Sequence, residues 1–135
     1  MKVLFDTNVL LDIALAREPF VKASMKAWTF VSESEEKPLI APHSLATFFY
    51  MVRQAHGKDP ANQAVEDLLL TGRVAVFDDA CAHEAAALAF SDFEDAMVAA
   101  CALRSDADRI LTRNLPDFKM CPVACQTPEA FLSIF

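Results

Sequence analysis

A three-layer α/β architecture, with a five-stranded parallel sheet covered by helices on both faces, is the fold class this sequence predicts. Three observations lead there. Short apolar runs alternate with segments whose apolar residues recur at helical spacing. Hairpin signals between those runs are few, so successive strands are joined by crossovers rather than tight turns. The first run, Val3 to Phe5, stops at the carboxylate of Asp6, and Val9, Leu10, Ile13 and Ala14 then recur as on a helix.

Taken in order, that first strand and helix are followed by a break at Arg17-Glu18-Pro19, with Pro19 suited to the first turn of a second helix reaching about Ser34. Phe20, Ala23, Ala27, Phe30 and Val31 would form its apolar face. The proline-bracketed stretch Pro38 to Pro42 reads as the second strand, and His43 to His56 as a helix ended by Gly57. Asp59 and Pro60 read as the cap and first position of the next helix, which closes near Gly72. Val74 to Phe77 is the third strand, and Asp78 or Asp79 caps an Ala-rich helix through Phe90. Ser91 and Glu94 match a capping box opening a helix to about Ser105. Arg109 to Thr112 is the fourth strand, Pro122 to Cys125 the fifth, and a short helix runs from Pro128 to the end.

Composition narrows the class. The 135 residues suit a single domain spanning 1–135, and 54% hydrophobic against 23% charged residues describes a globular chain. That apolar share points to surface covered in a homodimer or by a partner. No run approaches the length of a membrane span, and strand-forming residues from Lys2 onward leave no room for a signal peptide. A cytoplasmic protein is expected, with no membrane partner and with Cys81, Cys101, Cys121 and Cys125 as reduced thiols. Cys121 and Cys125 lie four apart without a grouped His, which suits buried thiols better than zinc ligands. The net charge of −7 opposes nucleic-acid binding unless several acids surround cations.

Three segments bring polar groups to the carboxyl edge of such a sheet, where ligands bind in open parallel folds. The first supplies Asp6 and Asn8, and the segment after the fourth strand supplies Asn114 and Asp117. Asp92 and Asp95 open the helix between them, three residues apart and so on one helix face. Hard oxygen ligands suit Mg²⁺ or Mn²⁺, and two or three carboxylates suffice because Mg²⁺ keeps several waters. With only two glycines the chain has no phosphate-binding glycine loop. Arg17, Arg53 and Arg113 could contact phosphate, but they form no stripe and read more readily as solvated surface; Phe48, Phe49, Tyr50 and Trp28 read as core or dimer surface.

At three places the chain resembles the PIN-domain family, which includes the VapC-type ribonuclease toxins. They are Leu4-Phe5-Asp6-Thr7-Asn8-Val9-Leu10-Leu11-Asp12, Asp92-Phe93-Glu94-Asp95-Ala96-Met97 with Ala99 to Ala102, and Ile110-Leu111-Thr112-Arg113-Asn114-Leu115-Pro116-Asp117-Phe118. The resemblance implies strand order 3-2-1-4-5, which sets Asp6 beside Asn114. It implies cleavage of RNA with Mg²⁺ or Mn²⁺, with Asp6 as first acid and Asp95 as third. Asn114 stands at the fourth acid position with Asp117 close by, and Asn8 at a supporting polar position. The chain departs from the pattern at the second acid, where Leu45-Ala46-Thr47 stands in place of Leu-Ala-Glu. Some subgroups resemble it in carrying Thr there with Tyr one turn on, as Tyr50 is here. His43, Ser44, Thr47 and Gln54 are the polar candidates on that helix, and Asp92 is the acid that can supply the missing charge.

The expected function is metal-dependent endonucleolytic cleavage of RNA, as the toxin of a type II toxin–antitoxin pair with an antitoxin protein as partner. The alternatives are a PIN-fold module that binds RNA or protein without cutting, and a haloacid-dehalogenase-type phosphohydrolase. The latter requires an Asp where Asn8 stands.

Overall fold

Strand β1 (Val3–Phe5) is the middle of the sheet in the computed structural model, which describes residues 1–135. The remaining strands are β2 (Leu39–Ile40), β3 (Arg73–Val74), β4 (Arg109–Leu111) and β5 (Ala124–Gln126). Their spatial order is β3-β2-β1-β4-β5 and every pairing is parallel. Leu4 pairs with Leu39 on one side and Ile110 on the other, so β1 and β4 end together at Phe5 and Leu111. Chain order reverses between β1 and β4, and the loops leaving those strands diverge to open a crevice.

Alternation along the strands divides the core into two layers. Val3, Phe5, Ile40 and Leu111 face the helices α1 (Thr7–Ala14), α2 (Val21–Ser32), α3 (Pro42–His56), α4 (Lys58–Thr71) and α7 (Pro128–Leu132). Leu4, Leu39 and Ile110 face α6 (Phe93–Arg104), which buries Val98, Cys101 and Ala102 there. Helix α5 (Asp79–Ala87) packs Cys81 and Ala85 against Ala96 and Ala100 of α6. Small residues at that contact let the two helix axes approach closely. Phe5 is fully buried with its ring edge-on to Trp28, centroids 5.0 Å apart, and truncating such an aromatic to alanine costs about 3–5 kcal/mol. The four cysteines are free thiols. No helix is long and apolar enough to cross a membrane.

The α/β class, the five parallel strands and their order match the sequence expectation, while several boundaries differ for identifiable reasons. Pro19 lies in the turn before α2 rather than inside its first turn, and Phe30 on α2 is 45% exposed instead of buried. Gly57, with φ of 97°, both ends α3 and starts α4, so Asp59 sits within the first turn and not at the cap. A side chain at that φ would be strained, which is why glycine serves there. Strand β3 stops at Val74, two residues long, although Ala75 still donates its N–H to the Ile40 carbonyl. Helix α5 ends at Ala87, short of Phe90. Strand β5 is displaced to Ala124–Gln126, and a 3₁₀ turn that the sequence reading omitted, Leu115–Phe118, intervenes after β4. Asp92, not Ser91, caps α6, its Oδ1 accepting the Asp95 N–H at 3.1 Å. The predicted Ser91–Glu94 box therefore does not form.

Candidate active site

Asp6 is the first residue beyond β1, and its backbone N–H still donates to the Leu111 carbonyl of β4 at 2.9 Å. That bond carries the sheet one residue further than the strand and fixes the carboxylate at the crevice. Asp6 is 3% exposed. Its Oδ1 accepts the Thr7 N–H at 2.8 Å, capping α1, and its Oδ2 accepts the Thr112 hydroxyl at 2.8 Å. Capping and site geometry are thus served by one side chain. Each carboxylate oxygen has a second lone pair free of these two bonds. Burial pushes the Asp6 carboxyl above its ordinary range, opposed by the bonds from Thr112 and Thr7.

A cavity of about 280 Å³ opens over Asp6, and eight of the residues singled out from the sequence line it. Asp6 lies between β1 and α1 and Asn8 on α1, His43 and Thr47 are on α3, Asp92 and Asp95 stand at the start of α6, Asn114 just precedes the 3₁₀ turn and Asp117 is within it. Thr7, Glu94 and Arg17 add further polar wall. Asp95 is half-buried and held at about 7 by burial first, then by the charges of Asp6, Asp92, Asp117 and Glu94. Five acids thus share a small volume in which Arg17 is the one permanently charged cation.

His43 does not offset that charge. Burial lowers its pKa, which favours the neutral ring, and Nε2 lies 3.2 Å from the Glu94 carbonyl oxygen, so Nε2–H is the donor there. Nδ1 is buried without a partner. Nor is His43 a helix cap, because α3 begins at Pro42 with Ala41 as its cap residue. Thr47 reaches the cavity as a neutral hydroxyl, and Thr7 donates its hydroxyl to the buried Ser44 at 2.7 Å, tying α1 to α3 beneath it.

An all-oxygen donor set with raised carboxyl pKa values fits a hard divalent cation, which would relieve the repulsion recorded at Asp95. No three His, Cys, Asp or Glu side chains are close enough together to cage an ion by themselves. Asp6 and Asp95 are the two carboxylates with raised pKa that could hold such an ion, and Asn114, Asp117 and Asp92 line the same cavity.

The sequence of residues 2–116 matches the PIN domain. The chain belongs to the PIN-domain family. No curated protein matches it by sequence. Among solved structures, VapBC2 from Rickettsia felis bound to a DNA fragment from its promoter is similar with a TM-score of 0.75 and 16% identity, over 94% of this chain and 98% of that one. A toxin–antitoxin complex from Klebsiella pneumoniae gives 0.73 and 22% identity with the same coverage. VapC20 from Mycobacterium tuberculosis, a sarcin–ricin loop cleaving toxin, gives 0.66 and 14% identity over 81% and 87%. These likenesses establish the PIN fold of the chain. Membership leaves the haloacid-dehalogenase reading without support.

Sequence reading passed over several supports of this PIN site. Thr112 appeared only as the end of a strand, yet its hydroxyl holds Asp6 and also accepts the Asn114 N–H at 3.0 Å. Asp12 is completely buried on α1 and is bound by Arg113, Nε to Oδ2 at 2.5 Å and Nη2 to Oδ1 at 3.1 Å. Arg113 therefore is no solvated surface residue; its guanidinium also lies 4.1 Å from the centroid of the Phe20 ring. The available signal was a carboxylate inside an apolar helical run, which demands a charged partner elsewhere.

Proposed function

We propose that this PIN-domain chain is a Mg²⁺- or Mn²⁺-dependent endoribonuclease and the toxin half of a toxin–antitoxin pair. The observation that carries the reading is the buried Asp6 carboxylate at the end of the central strand, in one cavity with Asp95, Asp92 and Asp117. A divalent ion, when bound, lowers the pKa of water and neutralises phosphate charge. Asp6 and Asp95 hold the ion in this reading. Asn8, Asn114 and Asp117 orient water, and Asp92 supplies the charge that Thr47 lacks. Asp95, protonated in part near neutral pH before metal is bound, gives up that proton when its ionised form takes the ion. Kinship of fold with toxin–antitoxin complexes supports an antitoxin protein as partner. The reading further includes one domain over residues 1–135, a cytoplasmic setting, and a homodimer that covers apolar surface such as the exposed Tyr50.

The deciding experiment incubates purified protein with labelled single-stranded RNA, with Mg²⁺, with Mn²⁺ and with EDTA. Cleavage that requires metal and vanishes in Asp6→Asn is expected. A second reading, a PIN module that binds without cutting, draws on Thr47 at the second acid position and on the absence of a three-residue ligand cluster. RNA binding insensitive to metal, unaltered by Asp6→Asn and without cleavage, would select it.

A further inference from the structure

An RNA strand entering this cavity brings negative charge to a wall of five acids, and a metal ion offsets only part of it. The wall carries one fixed positive group, Arg17. Its backbone is held by its N–H bonding to the Asp12 carbonyl at 3.0 Å, and its own carbonyl accepts the N–H groups of Phe20 and Val21 at 3.0 and 2.8 Å. Ala16 before it adopts a φ of 50°, a left-handed conformation uncommon for alanine, which turns the chain out of α1 and brings Arg17 back beside Asp12. The side chain is one-third exposed, and its ion pair with Asp12 spans 3.7 Å.

That ion pair is the weaker of two. Arg113 already satisfies both Asp12 oxygens with its two hydrogen bonds. Asp12, Arg113 and Arg17 together carry one surplus positive charge, and Arg17 is the member facing the cavity. A planar guanidinium with free donors at the rim of an acidic site is suited to a phosphate group. We propose that Arg17 binds a backbone phosphate of the RNA beside the bond to be cut, with Asp12 as the residue that aims it. This inference rests on the nuclease reading and adds the group that receives substrate charge.

The test compares wild type, Arg17→Gln, Arg17→Lys and Arg53→Gln. Arg53 is exposed on α3 outside the cavity and reports non-specific electrostatics. Cleavage of a labelled single-stranded RNA of mixed sequence gives KM and kcat. Fluorescence anisotropy of the same RNA in the Asp6→Asn background gives affinity across a salt series. Arg17→Gln is expected to raise KM and Kd about tenfold and to lower the slope of log affinity against log salt by about 0.7. Its melting temperature stays that of the wild type, because Arg113 still neutralises Asp12. Arg17→Lys recovers most of the salt slope, and Arg53→Gln changes neither quantity. Unchanged KM, Kd and slope in Arg17→Gln, while the wild type cuts, would overturn the inference alone. RNA that is bound but never cut overturns the nuclease reading, and the binding slopes then decide the phosphate contact. RNA that is neither bound nor cut overturns both.

Discussion

Thr112 and Asp6, 106 positions apart in the chain, share a buried hydrogen bond of 2.8 Å between hydroxyl and carboxylate. The same Thr112 oxygen accepts the Asn114 N–H, so one hydroxyl locks the first acid and the start of the 3₁₀ turn into a single unit. Thr112→Val keeps the shape and removes both bonds. The expected cost is about 1–3 kcal/mol of stability, measured by urea unfolding. Loss of a bond to the charged form also raises the Asp6 pKa further, so the acidic limb of the pH–rate profile moves to higher pH. An unchanged limb in a folded variant would contradict the assignment of Asp6 as the ionised ligand.

Asp12 and Arg113 give a second, structural prediction. Removing one partner of a buried pair strands the other charge, and Asp12→Ala leaves Arg113 over the Phe20 ring without its counter-ion. The expected loss is about 3 kcal/mol, toward the low end of buried pairs because the Arg113 side chain retains 24% exposure. A double variant, Asp12→Leu with Arg113→Met, is expected to recover most of that loss, as measured by thermal melts. Arg113 sits between Thr112 and Asn114, so catalytic rate is not expected to recover with stability.

Which parts of this site were legible in the sequence follows from where each residue's constraint lies. Asp6 announces itself locally, as an acid that ends an apolar strand and begins a helix, and Asp95 through its place one turn into α6. Their meeting in one cavity depends on the β1–β4 pairing, which the resemblance to PIN domains implied and the sheet order displays. Asp92 was legible as an acid but not as the cap, because Ser91 and Asp92 satisfy the same local rule and only the backbone path selects between them. Thr112 and Arg113 were not legible as supports. Their roles are set by partners on other segments, and neither hydroxyl nor guanidinium carries a pattern that names its partner. The short β3 and the displaced β5 show the same limit, since edge strands have pairing on one side alone to define them.

Asp6→Asn separates function from stability. The carboxylate is buried among four other acids and its pKa is raised chiefly by lost solvation, so its ionised form opposes folding at neutral pH. Asparagine keeps one of the two bonds, its carbonyl oxygen accepting the Thr7 N–H, while its NH2 stands where an oxygen accepted the Thr112 hydroxyl. The metal-free variant is therefore expected to melt at or above the wild-type temperature at neutral pH, with RNA cleavage abolished. It should also draw the Asp95 pKa downward, because Asp6 is the largest charge cause of that shift after burial. A marked drop in melting temperature would mean that Asp6 is a structural cap first.

Asp95 makes the stability of the metal-free protein depend on pH with a definite sign. Its carboxyl is held at about 7 in the fold against an ordinary 3.8. Between those values the folded chain keeps a proton that the unfolded chain has released, so raising the pH favours unfolding. The contribution of Asp95 is fully present below about pH 4 and is lost as pH rises through about 7. In EDTA, the melting temperature of the wild type should therefore fall relative to Asp95→Asn over that window, by a small amount since the group is half in water. Adding Mg²⁺ or Mn²⁺ reverses the trend, because a cation binds the ionised form and displaces the proton. Stabilisation by metal should grow with pH and level off once Asp95 is ionised, and calorimetry in buffers of different ionisation enthalpy should record proton release below pH 7. Parallel melting curves for wild type and Asp95→Asn at every pH, with metal stabilisation independent of pH, would remove Asp95 from the ligand set.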